Sequence, residues 1–372
     1  MNVSNKLGLN DDGFCRMVTT TKMLFSNVIG HAAEFHYEKY LKSRGISYTK
    51  APTDVHYDYI VDKNSRDQVK RWETDSTNGK YLGVNLTTTH GNRLGPDAFY
   101  TRDAFDNLIL FDVGFKNHKK IKASDIPINK KHSDRLPGKF KILRETSATF
   151  SDFDNDFLLS LKRKNTDFPP AIESLKEKYN LNYTQLLQKC CNLSLDEIDG
   201  LFCEENFRLI TGAKGFAAEE HLNVLFDNNK IAYKQDKAMY SKVDHWVKDN
   251  IRVQVKTPHG RANDINHWGF KTHKSHGHGI GELYKINEFD IVALFIGFKI
   301  DKNVDKYLPV SVKNEFIFIP ASDLEEHPNY PGHLKRVTKI RKDKYKINNL
   351  SIFNDFTNIG IRENFNKLLH YM

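Results

Sequence analysis

The chain is expected to be an α/β protein of two tandem domains with central mixed β-sheets, joined by a helical segment. Three observations predict this. A four-residue signature occurs twice, as Glu34, Asp58, Gln68 and Lys70 and again as Glu219, Asp244, Gln254 and Lys256. Around each signature the same order of helical pattern, short strands and one strongly apolar strand recurs, as a layered α/β domain requires. Between the copies, residues 154 to about 210 carry helical patterns. The Glu-to-Asp separations are 24 and 25 residues, and Asp-to-Lys is 12 in both. Copies this far apart are domains, since solenoid repeats run roughly 20 to 50 residues. The division is 1–153, 154–208 and 209–372.

Residues 1–22 form an extension before the first copy. Leu24 to Leu41 has helical apolar spacing and carries Glu34, and Gly45 supplies the break that turns the chain back. Strands are expected at Ile46–Tyr48, Tyr57–Val61, Gln68–Lys70 and Tyr81–Thr88. Leu108 to Phe111 is contiguous and apolar, the pattern of a strand covered on both faces. In the middle segment, Asp167-Phe-Pro-Pro170 opens a helix, because proline is tolerated in a first turn, and Ile172, Leu175 and Tyr179 share its face. Shorter helical patterns follow at Tyr183–Cys190 and Ser194–Leu201. The second copy repeats a helix from about Phe216 to Asp227, then strands at Ile231–Tyr233, Lys242–Val247, Arg252–Thr257, Ile291–Gly297 and Glu315–Ile319.

Further echoes extend the match. Gly30-His-Ala-Ala-Glu34 corresponds to Gly215-Phe-Ala-Ala-Glu219, and the stretch from Phe105 to Lys116 mirrors that from Phe289 to Lys299. Ile126-Pro127 is paired with Ile319-Pro320, Pro137-Gly138 with Pro331-Gly332, and Phe150-Ser-Asp-Phe153 with Phe353-Asn-Asp-Phe356.

At 372 residues with 39% hydrophobic content, there is enough apolar material for two cores of ordinary size. The net charge of +9 suits a phosphate-rich partner without establishing one. Cys15, Cys190, Cys191 and Cys203 make neither repeated metal half-sites nor a disulfide framework. No apolar run approaches a membrane span, so no membrane partner is expected, and the reading is a reducing compartment, the cytoplasm.

Hydrolysing a phosphodiester requires an attacking water and neutralisation of the charge that builds on the phosphate and leaving oxygen. A carboxylate-held Mg²⁺ assists both. Asp58 and Asp244 are natural anchors for such a cation. Gln68 with Lys70, and Gln254 with Lys256, lie two apart on a strand and face one side together. Glutamine supplies a neutral oxygen in place of a second carboxylate, and the helix residues Glu34 and Glu219 compensate in charge. Taken singly, a helix Glu is ordinarily solvated and a strand Lys ordinarily covers an edge. Solvated charges have no reason to keep common spacing in two diverged copies.

The pattern Gly-x-x-Ala-Glu, then Tyr-Asp or Val-Asp before an apolar strand, then Gln-Val-Lys, resembles the PD-(D/E)xK nuclease superfamily. It is most similar to the branch with Gln in place of the second acidic residue, found in some homing endonucleases and resolvase-like domains. The resemblance covers roughly residues 24–128 and 209–322, and it implies two restriction-endonuclease-like domains. It makes Asp58 and Asp244 the metal Asp, Gln68 and Gln254 the variant acidic position, Lys70 and Lys256 the catalytic Lys, and Glu34 and Glu219 the helix Glu. Neither Asp follows a proline, a departure at a weak part of the signature.

The implied activity is Mg²⁺-dependent cleavage of double-stranded DNA, with Mn²⁺ as a substitute, by a monomeric pseudo-dimer with one site per strand. A restriction role would bring a companion DNA methyltransferase acting on the same target. The alternatives are a homing or junction endonuclease, or a DNA-binding scaffold without turnover. The middle segment then reads as a helical connector or a small DNA-reading subdomain.

The loop with His267, His273, His276 and His278 admits phosphate or base contact, an ordinary polar loop, or a metal. The His-Gly pairs at 90–91 and 259–260 read as turns or as support for nearby site geometry. Basic clusters at Lys116–Lys122, Lys130–Lys131 and Lys335–Lys346 are candidates for backbone contact or for solvated surface. Trp72, Trp246 and Trp268 are expected in packing roles.

Overall fold

A computed structural model of the chain describes residues 3–52, 55–74, 81–86, 99–143, 151–163, 167–236, 243–248, 250–258, 263–272 and 283–354. Two helices, α1 (Val3–Lys6) and α2 (Asp11–Thr20), come before α3 (Lys22–Ser43), the long helix of the first copy. The first mixed sheet is built from β1 (Tyr48–Lys50), β2 (Tyr59–Val61), β3 (Ser65–Arg71), β6 (Asn107–Phe111) and β7 (His118–Lys122), in that spatial order. Only the β3/β6 pair among these is parallel. A separate antiparallel sheet joins β4 (Glu73–Thr74), β5 (Tyr81–Asn85) and β8 (Lys139–Leu143). The helices α4 (Asp152–Leu161), α5 (Phe168–Lys178), α6 (Tyr183–Cys191) and α7 (Leu195–Gly200) follow.

The second copy opens with α8 (Phe207–Asn228). Its mixed sheet contains β9 (Tyr233–Gln235), β10 (His245–Val247), β11 (Ile251–Lys256), β13 (Ile291–Phe295) and β16 (Phe316–Pro320), again with a single parallel pair, β11/β13. A ribbon of β12 (His267–Lys271) and β17 (Val337–Arg341) matches the β5/β8 pairing, and β14 (Phe298–Lys299) pairs with β15 (Ser311–Val312). The expected α/β class with two mixed sheets is therefore observed. Among the described residues, no helix is long and apolar enough to cross a membrane.

Side-chain alternation explains why β6 and β13 are buried throughout. In the second copy, Ile291, Ala293 and Phe295 face Leu222 and Phe226 of α8, while Val292 and Leu294 face Phe270, Tyr284 and Ile340 on the ribbon side. Each fully buried large aliphatic side chain contributes roughly 1.5–3 kcal/mol, so both layers hold the sheet in place. The site strand β11 lies in the middle of this sandwich.

The helices end by a shared device that shifts the strands from their expected positions. Gly45, at φ +66°, follows α3, and the Ile46 amide donates to the Leu41 carbonyl at 3.0 Å. Lys230, at φ 55°, follows α8, and the Ile231 amide donates to Phe226 at 2.9 Å. Both isoleucines close a left-handed helix cap. The strands expected from Ile46 and Ile231 consequently begin at Tyr48 and Tyr233. Helix α8 starts nine residues before its expected Phe216, because the apolar stripe Leu209, Ile210, Ala213, Ala217 runs through Gly212 and Gly215.

Two of the sequence echoes lie off register. Ala123 and Ala321 donate their amides to Asp106 and Asp290, at 2.9 and 2.8 Å, and each opens a 3-10 turn of sequence Ala-Ser-Asp. The equivalent stretches are thus 123–125 and 321–323, so Ile126 corresponds to Leu324 and not to Ile319. Leu136 and Leu334 donate to Tyr100 and Tyr284, each at 2.8 Å, which places Pro331-Gly332 opposite residues 133–134 rather than Pro137-Gly138. Phe150 and Phe356 lie outside the described residues.

The chain divides into two compact units, Val18–Phe202 and Met1–Met17 with Cys203–Met372. Each unit contains one five-stranded mixed sheet and a helical arm that precedes the other copy in the chain. The arms are alike. Leu7 is followed by Gly8 at φ +72°, and Cys191 by Asn192 at φ 52°. The Leu7 carbonyl accepts from His221 Nε2 at 2.8 Å, and the Cys191 carbonyl from His36 Nε2 at 2.9 Å. These histidines lie two residues after Glu219 and Glu34. His221 stacks on Phe295 and His36 on Phe115, both at 4.9 Å. Burial lowers the pKa of both rings, favouring the neutral form that donates one hydrogen bond.

A Cβ at Gly8 would meet His221 Cε1 at 2.9 Å and Val312 Cγ1 at 3.0 Å, on a backbone that side chains rarely adopt. Gly8→Ala is expected to cost about 1–3 kcal/mol. Gly30→Ala, at an exposed helical site with nothing within 4 Å, is expected to stabilise by about 0.5–1 kcal/mol. Thermal denaturation of the two full-length variants should move in opposite directions.

Candidate active sites

Asp58 and Asp244 each stand immediately before an outer strand of the hairpin whose inner strand carries Gln-x-Lys. Their amides donate to the Asp67 and Val253 carbonyls at 3.0 and 2.9 Å, extending the β2/β3 and β10/β11 ladders by one residue. In the first copy, Asp58 Oδ2 accepts from Gln68 Nε2 at 2.5 Å and from the Val69 amide at 2.7 Å. In the second, Asp244 Oδ2 accepts from Gln254 Nε2 and, at 2.6 Å, from the Val255 amide. The middle valine anchors the Asp through its backbone while its side chain is buried in the core. Strand alternation leaves Gln and Lys together on the opposite face.

The remaining members converge on the same places. In the first site, burial raises the Asp58 pKa to about 7, with the Glu34 charge adding to the rise and Lys70 opposing it. Burial alone would lower the Lys70 pKa, yet Tyr100, Asp58 and Glu34 outweigh it and leave it raised. In the second site, burial raises Asp244 to about 6, against Lys256 and the Val255 amide. Burial also pushes Glu219 well above the usual carboxylate range, with the Asp244 charge next in importance. Glu34 Oε2 lies 3.3 Å from His31 Nδ1, whereas Glu219 Oε2 accepts from Gln235 Nε2 at 3.2 Å. All four residues of each signature are brought together.

In the second site both carboxylates, Asp244 and Glu219, have their charged forms disfavoured by burial, so a cation placed between them would be favourable. Gln254 Oε1 is buried without a hydrogen-bond partner, so an amide oxygen is free to complete the donor set. Two carboxylates and an amide oxygen in the second site are hard donors, suited to Mg²⁺ or Mn²⁺ and not to zinc. Among the described residues, no group of three or more His, Cys, Asp or Glu side chains is gathered for a metal. A donor set at either site would therefore need an oxygen from another residue type, such as the glutamine amide.

Sequence reading missed three repeated features around these sites. Arg66 grips Asp106 through its backbone amide, Nε and Nη2 at 2.8, 3.2 and 2.9 Å, and Arg252 grips Asp290 identically at 2.8, 3.1 and 2.7 Å. These forks tie the starts of the parallel strands and so fix their register. Tyr284 accepts a hydrogen bond from Lys256 at 3.5 Å, and its counterpart Tyr100, against burial, raises the pKa of Lys70. His36 and His221 hold the arms. Each pair was visible as a common residue at a common offset from a motif already matched, five before the Phe of Phe-Asp for the tyrosines and two after the Glu for the histidines.

The copies differ sharply behind the site. Asp67, fully buried, accepts from Tyr37 Oη at 2.5 Å, Ser65 Oγ at 2.8 Å and Asn107 Nδ2 at 2.8 Å. The equivalent positions in the second copy are Val253, Leu222, Ile251 and Ile291, all buried and apolar.

Basic side chains of the final cluster are largely ion-paired: Lys335 with Glu325, Lys339 with Asp264, Arg341 with Asp343 and Lys344 with Asp323. Trp268 and Trp72 pack beside the apolar clusters as expected, with Lys342 4.4 Å above the Trp268 ring. His267 is held by Asp264 at 2.8 Å. His90, Gly91, His259, Gly260, His273, His276 and His278 lie outside the described residues.

No family model matches the chain, and no curated protein matches it in sequence. Among solved structures, a bacterial homing endonuclease is similar over 37% of this chain and 93% of its own, at 14% identity and a TM-score of 0.26.

Proposed function

We propose that the protein is a metal-dependent endonuclease of the PD-(D/E)xK type in its Gln-x-Lys form. It hydrolyses phosphodiester bonds of double-stranded DNA as a single-chain pseudo-dimer, one site per strand, in a sequence-specific restriction role. The observation that carries this reading is the duplicated anchoring of Asp58 and Asp244 by the same two hydrogen bonds, from the Gln of Gln-x-Lys and the amide of its middle valine. Diverging sequences keep such a device twice when both sites are used.

Asp58 with Gln68 and Glu34, and Asp244 with Gln254 and Glu219, would hold a Mg²⁺. The bound cation supplies Lewis acidity at the phosphate oxygen and lowers the pKa of its water. Lys70 and Lys256 would orient the attacking water and balance the negative charge as its oxygen bonds to phosphorus and the bond to the leaving sugar oxygen breaks. The hydrogen-bonded Gln and Asp keep the donors pre-organised, so little reorganisation opposes the reaction.

The test is incubation of supercoiled plasmid and a complex linear DNA library with Mg²⁺, with a chelated control. Discrete double-strand fragments that disappear on chelation are expected. Cleavage confined to branched or long asymmetric DNA would replace restriction with a junction or homing role. Tight duplex binding with no metal-dependent cutting would overturn the enzyme reading in favour of a scaffold.

A further inference from the structure

We propose that Tyr284 and Tyr100 are positioning residues, each holding the ammonium of one signature lysine toward the Asp–Gln pair, an assignment whose catalytic meaning rests on the nuclease reading. Lys256 Nζ lies 3.5 Å from the Tyr284 hydroxyl and 5.2 Å from its ring centroid. Tyr100 occupies the matching place in the first copy, where, against burial, it raises the pKa of Lys70.

Both tyrosines are fixed from several sides. Tyr284 is 4% exposed and Tyr100 6%. Their rings meet Phe289 and Phe105 edge-on, at 5.4 Å and 82° and at 5.6 Å and 80°. Their carbonyls accept the amides of Leu334 and Leu136, and the next residues make the bridges Lys285 with His333 and Thr101 with Arg135. Between Tyr and Phe-Asp the chain has changed completely, Thr-Arg-Asp-Ala in one copy and Lys-Ile-Asn-Glu in the other.

Core packing accounts for the ring but not for the hydroxyl. Phenylalanine would fill the same space without the cost of burying a polar oxygen, and in the second copy that oxygen meets the lysine. A lysine has a flexible four-carbon stem and three donors. Contact with the hydroxyl restricts the stem and occupies one donor, leaving two for phosphate and water. The expected benefit is in the rate of the bound complex, with little effect on DNA affinity.

The experiment uses full-length Tyr284→Phe and Tyr100→Phe, which retain the ring. Strand-resolved single-turnover cleavage, duplex affinity in Ca²⁺, and reductive methylation of each lysine followed by mass spectrometry are measured together. Tyr284→Phe should slow one strand about tenfold, the worth of one charge-assisted hydrogen bond, with affinity and melting temperature unchanged. Methylation of Lys256 alone should rise severalfold. Tyr100→Phe should do the same to the opposite strand and Lys70. Unchanged cleavage with unchanged methylation would overturn the proposal, as would equal slowing of both strands by either variant. If the wild-type protein cuts no DNA while Tyr284→Phe still exposes Lys256 to methylation, the nuclease reading falls and the positioning contact stands.

Discussion

Replacing Asp244 with Ala is expected to turn double-strand cleavage into nicking. One strand should be cut about 10³-fold more slowly, equivalent to roughly 4 kcal/mol of lost transition-state stabilisation. Asp244 Oδ2 already serves Gln254 and the Val255 amide, so the substitution removes the proposed cation ligand and frees the glutamine at once. Asp244→Asn separates these effects, since its amide oxygen can still accept from Val255 while the charge is gone. Because burial holds the Asp244 pKa up to about 6, losing the charge relieves desolvation. The Asn variant should therefore be as stable as wild type without metal, or more so, while failing to cut. Asp58→Ala should nick the opposite strand, and the double variant should be inert. Cutting of both strands by Asp244→Ala at wild-type rates would sink the second-site assignment. Loss of both strands in either single variant, with native circular dichroism, would mean the two sites turn over as one.

The juxtaposition of the paired Asp, Gln and Lys was legible because the arrangement is local. A hairpin keeps 12 residues between Asp and Lys, and strand period two puts Gln and Lys on one face. The apolar runs of β6 and β13 were legible for the same reason. The lysine's tyrosine was missed although it stands five residues before Phe-Asp in both copies, since a lone Tyr reads as core until the fold returns it to the strand. Matching by dipeptide also misled: Ile-Pro and Pro-Gly were paired, whereas the backbone pairs the two Ala-Ser-Asp turns. The similarity of the arms was hidden because the left-handed position is Gly8 in one and Asn192 in the other, two different solutions to one backbone requirement. Local propensity reports conformation, and these features depend on what each segment meets.

The largest stability effect is expected at Asp67, where the two copies hold the same core position by opposite means. Asp67→Val should cost about 3–5 kcal/mol, because the hydroxyls of Tyr37 and Ser65 and the Asn107 amide would lose a buried acceptor. Burial, and then Asp67 itself, already raises the Tyr37 pKa, so that hydroxyl remains a neutral donor that would lose its acceptor. The second copy shows which residues suit the apolar alternative: Leu222, Ile251, Val253 and Ile291 occupy these positions and are 3% exposed or less. Tyr37→Leu, Ser65→Ile and Asn107→Ile added to Asp67→Val should thus recover most of the loss, as exchanges of whole buried polar groups for packed apolar ones commonly do. Calorimetry of the single and quadruple variants reads the difference directly. A quadruple variant no more stable than Asp67→Val would mean that the first copy's helix and sheet have diverged in spacing as well as in polarity. Recovery would show that the polar network is one of two interchangeable ways to hold the helix against the site strand.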